Sequence, residues 1–285
     1  NLIFMGTPEF AIPSFEALVK SEHKVITVVT QTDKPVGRKK EPCAPPVKEA
    51  ALRFGIPTIQ PEDVNDKSVI EQLAELSPDI IVTVAFGQKI SSKILDLPRY
   101  KCINIHASLL PKYRGAAPIN WAIIRGEEET GVTSMVMREK MDAGEVILQK
   151  SILIGPNDTA GKLGNRLSTL GAELLIESLD QFKRGTVQYI QQDENLVTYA
   201  PKLKKKDGHI DWNRNTKEIH DFVRGMNPWP AAYAILVNGS KKERVIILET
   251  EKDIPHSPNR INRAGTVLDI SDRGIKIATK DGCLW

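Results

Sequence analysis

Residues 79–86 read Asp-Ile-Ile-Val-Thr-Val-Ala-Phe, an almost unbroken apolar run rich in β-branched side chains. A strand of this kind has no polar face to turn to water, so it belongs in a parallel sheet covered on both sides. The surrounding pattern agrees. Strand-like runs at Leu2–Met5, Val25–Thr30, Cys102–Ile105, Val132–Met137 and Val146–Leu148 alternate with helix-like stretches. Helices are predicted at Val47–Phe54, Val69–Leu76 and Thr159–Phe182, the last with Leu163, Leu167, Leu170, Leu174 and Leu175 at helical spacing. Thr7, followed by Pro8, is read as the N-cap of a first helix bearing Phe10, Ile12, Phe15, Leu18 and Val19. Between Gln31 and Pro46 the chain is polar and basic and reads as a loop. The expected class is α/β, a doubly wound and mostly parallel sheet.

The pattern changes after residue 186. Residues 187–206 are polar and irregular, end in Lys202-Leu203-Lys204-Lys205-Lys206, and read as a basic linker. Beyond it come Trp212, a helix near Thr216–Arg224, the turn Asn227-Pro228-Trp229-Pro230, and strands at Ala231–Val237, Val245–Leu248, Gly265–Ile270 and Ile275–Thr279. Turns at Asn238-Gly239, Ser257-Pro258-Asn259 and Asp272-Arg273-Gly274 separate them, a rhythm that predicts a small β-barrel over 207–285. A chain of 285 residues accommodates both domains. Charge is divided unevenly: residues 201–285 hold 16 Lys and Arg against 11 Asp and Glu, and residues 1–200 hold 23 against 25. That division is expected when one half does chemistry and the other holds a polyanion, although many basic domains bind nothing.

No apolar run approaches the roughly 20 residues that span a bilayer, and Leu2–Met5 is too short for a signal peptide, so no membrane association is expected. Cys43, Cys102 and Cys283 are scattered, which argues against a zinc site or a disulfide framework and fits a reducing cytoplasm. No metal is expected, and Cys102 reads as a buried, inert thiol.

Two segments are candidates for chemistry. Gly6-Thr7-Pro8-Glu9-Phe10 sits where a dinucleotide-binding loop would, but it lacks the second and third glycines and reads as a plain strand-to-helix turn. In Asn104-Ile105-His106 the two polar residues are i and i+2, so they project from one face at a strand end. An amide and an imidazole presented together can polarise a carbonyl and stabilise the oxyanion formed on attack. Asp142, after another strand, is placed to hold the imidazole charged or to relay a proton. By residue type alone the plainer readings stay open, because a lone His near a strand end is more often a satisfied residue than a catalyst and Asp142 by itself would be a turn residue beside Gly144.

Asn104-x-His106-x-Ser108-Leu109-Leu110-Pro111-x-Tyr113-Arg114-Gly115, followed by Met141-Asp142-x-Gly144, resembles the signature of the 10-formyltetrahydrofolate-dependent formyltransferases. The likeness extends through Phe4–Phe10, the basic stretch Asp33–Lys40, Tyr199-Ala200-Pro201-Lys202, Asp207–Trp212 and Asn227–Pro230, and so spans essentially the whole chain. It implies a Rossmann-like formyltransferase domain at 1–186 and an oligonucleotide-binding-type barrel at 207–285, whose last part is expected to be absent because family members continue past Trp285. It implies Asn104, His106 and Asp142 as the catalytic trio. Phe86, Gly87, Gln88, Ile90, Ser108, Leu109, Leu110, Pro111 and Met141 would hold the folate, with 10-formyltetrahydrofolate as formyl donor and no metal. Lys34, Arg38, Lys39 and Lys40 would enter the acceptor arm of an aminoacylated initiator tRNA; Lys202, Lys204, Lys205 and Lys206 are expected from their charge to extend the same groove for phosphates, and the protein is expected to act as a monomer. Two other readings remain open: formyl transfer to a small amine, such as glycinamide ribonucleotide or an amino sugar nucleotide, which shares the trio but needs neither the basic 33–40 stretch nor the barrel, and a nucleic-acid-binding protein with an inactive α/β domain.

Overall fold

The apolar run at 79–86 lies at the middle of a seven-stranded sheet. The computed structural model describes residues 1–36, 41–253 and 263–285. The chain begins with β1 (Leu2–Gly6), α1 (Ile12–Lys20) and β2 (Val25–Val29), then β3 (Lys34–Val36) and β4 (Glu41–Cys43). Next come α2 (Pro46–Arg53), β5 (Thr58–Ile59), α3 (Lys67–Glu75), β6 (Ile80–Val84), α4 (Ser92–Leu95) and β7 (Lys101–His106). They are followed by α5 (Pro118–Ile124), β8 (Glu129–Val136), β9 (Val146–Leu153), α6 (Ala160–Arg184) and α7 (Thr216–Met226). The chain ends in β10 (Ala232–Asn238), β11 (Lys241–Ile247), β12 (Lys252–Asp253), β13 (Val267–Ser271), β14 (Gly274–Ala278) and β15 (Cys283–Leu284).

Two compact units result. The first holds Asn1–Gly115, Gly131–Ile152 and Gly164–Tyr199; the second holds Ala116–Thr130, Leu153–Leu163 and Ala200–Trp285. Residues 187–199, which read as linker, thus pack with the first unit, and α5 belongs to the second. The strand order of the first unit is β5-β2-β1-β6-β7-β8-β9. Pairing is parallel from β5 through β7 and antiparallel from β7 to β8. The order reverses between β1 and β6, so ligands are expected at the carboxyl ends of these strands. Side-chain alternation divides the core. Phe4, Val82, Val84, Ile103 and Ile105 pack with Phe15 and Leu18 of α1 and Leu175 and Leu179 of α6. Ile3, Met5, Ile81 and Cys102 face the other way, against Leu73 of α3 and Ile94 of α4.

Two expectations are corrected here. Thr7 is not an N-cap: its hydroxyl donates to Phe86 O at 2.8 Å, tying β1 to the loop after β6, and the short turn Glu9–Ala11 begins without a side-chain cap. The 31–46 stretch is not all loop, because β3 and β4 pair antiparallel with Lys34 opposite Cys43 and Val36 opposite Glu41. Arg38, Lys39 and Lys40 lie outside the described residues, as does the expected turn Ser257-Pro258-Asn259.

Cys102 is buried, and burial pushes its thiol up to about 12. Cys283 is buried as well, and Cys43 is exposed. A thiolate-seeking reagent at neutral pH is therefore expected to label Cys43 alone in the native protein, which peptide mapping checks.

The second unit packs Leu203, Ile210, Ile219, Val223, Met226 and Leu284 against one another, with Trp121 and Ile124 at their edge. Its strands form the hairpin β10–β11, which turns at Gly239 with φ +60°, and an antiparallel sheet ordered β12-β15-β14-β13. His220 on α7 is buried between Thr250 Oγ1 (2.9 Å from Nδ1) and Pro156 O (3.3 Å from Nε2). Burial lowers its pKa below the ordinary 6.5; Arg224 and Lys252 act in the same direction, whereas Pro156 O and Asp221 oppose them. The unfolded chain then binds a proton that the folded chain refuses, so stability is full above about 6.5 and is lost as pH falls toward the folded value. Melting curves between pH 8 and 5 are expected to show this loss, and His220→Gln is expected to flatten it.

Candidate active site

Asn104 and His106 project from the face of β7 opposite Ile103 and Ile105, the face they share with Cys102. In register, Asn104 lies beside Thr83 of β6 and Met135 of β8, and His106 beside Thr133. The Asn104 side chain is half-buried and makes no hydrogen bond among the described residues. The neighbouring Thr83 hydroxyl is buried and likewise has no partner among the described residues. Unpaired polar groups of this kind, side by side at the carboxyl end of a parallel sheet, are suited to a ligand that supplies the missing bonds.

His106 is 6 % exposed. Its Nε2 lies 3.0 Å from Tyr113 O. A carbonyl only accepts, so this contact keeps a proton on Nε2 and leaves Nδ1 as the variable atom. Nδ1 stands 3.8 Å from Asp142 Oδ2, an ion-pair distance and too long for a hydrogen bond. Oδ2 is held by the backbone N–H of Gly115 at 2.8 Å. Asp142 itself has φ +51°, in the left-handed region that an Asp tolerates better than most residues.

The loop after β7 is fastened by its own polar groups. Thr133 Oγ1 donates to Ser108 O (2.6 Å) and accepts from Leu110 N (3.1 Å) and Gln149 Nε2 (2.9 Å). Ser108 Oγ donates to Lys112 O at 2.6 Å. The segment after α6 meets the same loop. Thr198 accepts from Tyr113 N and Arg114 N, and Ile190 exchanges two backbone bonds with Val146. Arg114, 1 % exposed, donates to Gln192 and to Glu194, and Lys140 also donates to Glu194. Arg114 first, and Lys140 after it, bring the Glu194 carboxyl down to about 2.

The residues expected to hold a folate divide by what they still have to offer. Phe86 and Ile90 are buried in the core beside Ile81, Ser108 is fully buried, and Leu110 packs with Met135 and Val146. Gln88 uses its amide on Val64 N, Pro61 O and Glu62 O. These five have mainly backbone to offer a ligand. Gly87 is exposed with φ +88°, Leu109 and Pro111 are half-buried, and Met141 is exposed. Among the expected RNA contacts, Lys34 reaches Gln31 Oε1, and Lys202, Lys204, Lys205 and Lys206 are exposed without an ion-pair partner among the described residues. Sequence reasoning assigned no role to Thr83, Tyr113, Thr133, Gln149 or Gln192. Tyr113 stood inside a motif, while Gln192 lay in a polar stretch with no periodicity to mark it.

Residues 1–179 match the family described as formyl transferase, and residues 202–285 match the formyl transferase C-terminal domain. A methionyl-tRNA formyltransferase of Geobacter metallireducens is 46 % identical over 277 residues, covering 97 % of this chain and 89 % of that protein. The chain belongs to the methionyl-tRNA formyltransferase family. A second member, from Thermodesulfovibrio yellowstonii, is 49 % identical over 251 residues, 88 % of this chain and 80 % of that protein. The fold is also that of the Helicobacter canadensis N-formyltransferase solved with folinic acid and dTDP-3-aminofucose. Its TM-score is 0.69 at 20 % identity, over 99 % of this chain and 97 % of that one. Among the described residues, no helix is long and apolar enough to cross a membrane.

Proposed function

We propose that this chain transfers the formyl group of 10-formyltetrahydrofolate to the α-amine of methionine carried on initiator tRNA, with Asn104, His106 and Asp142 as its catalytic residues. The observation that carries the reading is the unpartnered Asn104 amide on the same strand face as His106, with the Asp142 carboxylate 3.8 Å from the free ring nitrogen. In this mechanism the amine nitrogen attacks the formyl carbon and the carbonyl oxygen takes up the charge. Asn104 donates to that oxyanion, and His106, protonated at Nδ1, supports it electrostatically. Collapse breaks the bond from carbon to N10. Asp142 takes the proton the amine gives up and passes it toward N10, the leaving nitrogen. The folate lies along the loop 85–88 and beside Met141, where Ala85 and Gly87 expose backbone at the reversal of strand order.

Lys34, Arg38, Lys39 and Lys40, with Lys202, Lys204, Lys205 and Lys206, hold the phosphates of the tRNA. Neutralising even four phosphates gives a slope of log affinity on log salt of about −3. Filter binding between 50 and 300 mM salt tests this, and an affinity independent of salt would remove the RNA role from these lysines. The reading includes action as a monomer, and the free, scattered cysteines support work in the cytoplasm. The deciding experiment follows labelled formyl from 10-formyltetrahydrofolate to charged initiator tRNA, with free methionine, glycinamide ribonucleotide and an amino sugar nucleotide as competing acceptors. Label on a small amine in preference to the tRNA would overturn the assignment.

A further inference from the structure

We infer that Gln192 is a positioning residue for Asp142, locked in orientation by Arg114; the inference rests on the catalytic role proposed for Asp142. Gln192 Nε2 donates to Asp142 O at 2.9 Å and to Gly144 O at 2.7 Å. Its Oε1 accepts from Arg114 Nε at 3.1 Å and Nη2 at 2.8 Å. A guanidinium only donates and a backbone carbonyl only accepts, so this amide fits one way round. The two carbonyls it holds flank Ala143, and the first belongs to the residue at φ +51°. Few L residues rest in that region without support from their surroundings, and Gln192 supplies it.

The other end of Asp142 is tied to the same place. Its carboxylate accepts from Gly115 N at 2.8 Å, and Gly115 follows Arg114 directly. The dipeptide Arg114-Gly115 therefore sets both the backbone of Asp142, through Gln192, and its side chain, through the amide N–H. Thr198 O in turn holds Arg114 N at 2.9 Å. Attachment of the 190–199 segment does not depend on Gln192, because Ile190 and Val146 already exchange backbone bonds of 2.8 and 2.9 Å. What the Gln192 amide adds acts on the Asp142 turn, and through it on the 3.8 Å separation from His106 Nδ1.

Gln192→Glu separates the two halves of this arrangement. A carboxylate still accepts from Arg114 but brings no donor to the carbonyls of Asp142 and Gly144. In the full chain, kcat is expected to fall about 100-fold, as for a misplaced reacting group, with KM for folate and for tRNA within threefold and the melting temperature nearly unchanged. Gln192→Met, of similar length but with neither donor nor acceptor, is expected to show the same fall in kcat together with a lower melting temperature, because the buried Arg114 then loses this acceptor as well. In single-turnover assays, Gln192→Glu added to Asp142→Asn is expected to cost less than a further threefold, since residues acting through one another are not additive. A kcat within threefold of wild type in both single variants would overturn the inference. So would a full multiplicative loss in the double variant, or a fall in kcat of Gln192→Glu that merely follows a fall in its melting temperature. Wild type assayed alongside keeps the failures apart: an inactive wild type overturns the formyl-transfer reading itself.

Discussion

Asn104→Ala is expected to lower kcat about 100- to 1,000-fold, equivalent to roughly 2.7–4 kcal/mol of transition-state stabilisation. KM for folate and for tRNA should stay within severalfold. The asymmetry follows from where the amide points. Its side chain has no hydrogen-bond partner among the described residues, so its removal leaves nothing behind unpaired. The loss falls on the charge that develops only during the reaction. His106→Ala should cost at least as much, but less cleanly, because Tyr113 O then loses the ring nitrogen 3.0 Å away. Steady-state kinetics with a melting curve for each variant distinguishes the two. Normal turnover in Asn104→Ala would remove the amide from the mechanism.

Gly144→Ala should damage stability and activity together. A Cβ on Gly144 would lie 1.8 Å from Val136 O and 2.8 Å from its carbonyl carbon, both backbone atoms with no rotamer to escape into. The turn must therefore lift away from β8, breaking the bond from Val136 N to Glu145 O and shifting the carbonyl that Gln192 holds. Overpacking of this severity costs about 3 kcal/mol, which lowers the melting temperature by roughly 6–12 °C in a chain of this size. Asp142 is two residues away, and a displacement of about 1 Å there costs on the order of 100-fold in turnover. Calorimetry and single-turnover kinetics on the same preparation check both. A variant with wild-type melting and wild-type rate would mean that the turn tolerates the methyl group and that its position does not matter.

The strands were legible wherever their patterning was local. Ile80–Val84, Lys101–His106 and the long helix Ala160–Arg184 lie within a few residues of the expected runs, because burial on both faces or on one stripe leaves a periodic trace. Lys241–Arg244 of β11 escaped, since exposed charged residues in a hairpin carry no such trace. Thr7 misled for a related reason: a hydroxyl before a proline has the form of a cap, but an acceptor 79 residues away claimed it. In the candidate site, Asn104 and His106 were readable as a pair because an i, i+2 spacing on a strand forces one face. Asp142 was a weaker candidate until the resemblance supported it, because its place after a strand suggests a role but its spacing from His106 carries no geometric rule of its own.

The sequence by itself determined the class of fold, the strand that presents Asn104 and His106, and membership of a formyltransferase family, because each is written in contiguous residues. Tertiary structure decided which groups remain available. Folding used Gln88 on the 61–64 backbone, buried Ser108 and Leu110, left the Asn104 amide without a partner among the described residues, and brought Gln192 across 50 residues to the carbonyl of Asp142. A polar residue in a sequence announces what it can bond to. Whether that capacity is still free depends on which distant groups the packed chain brings within about 3 Å.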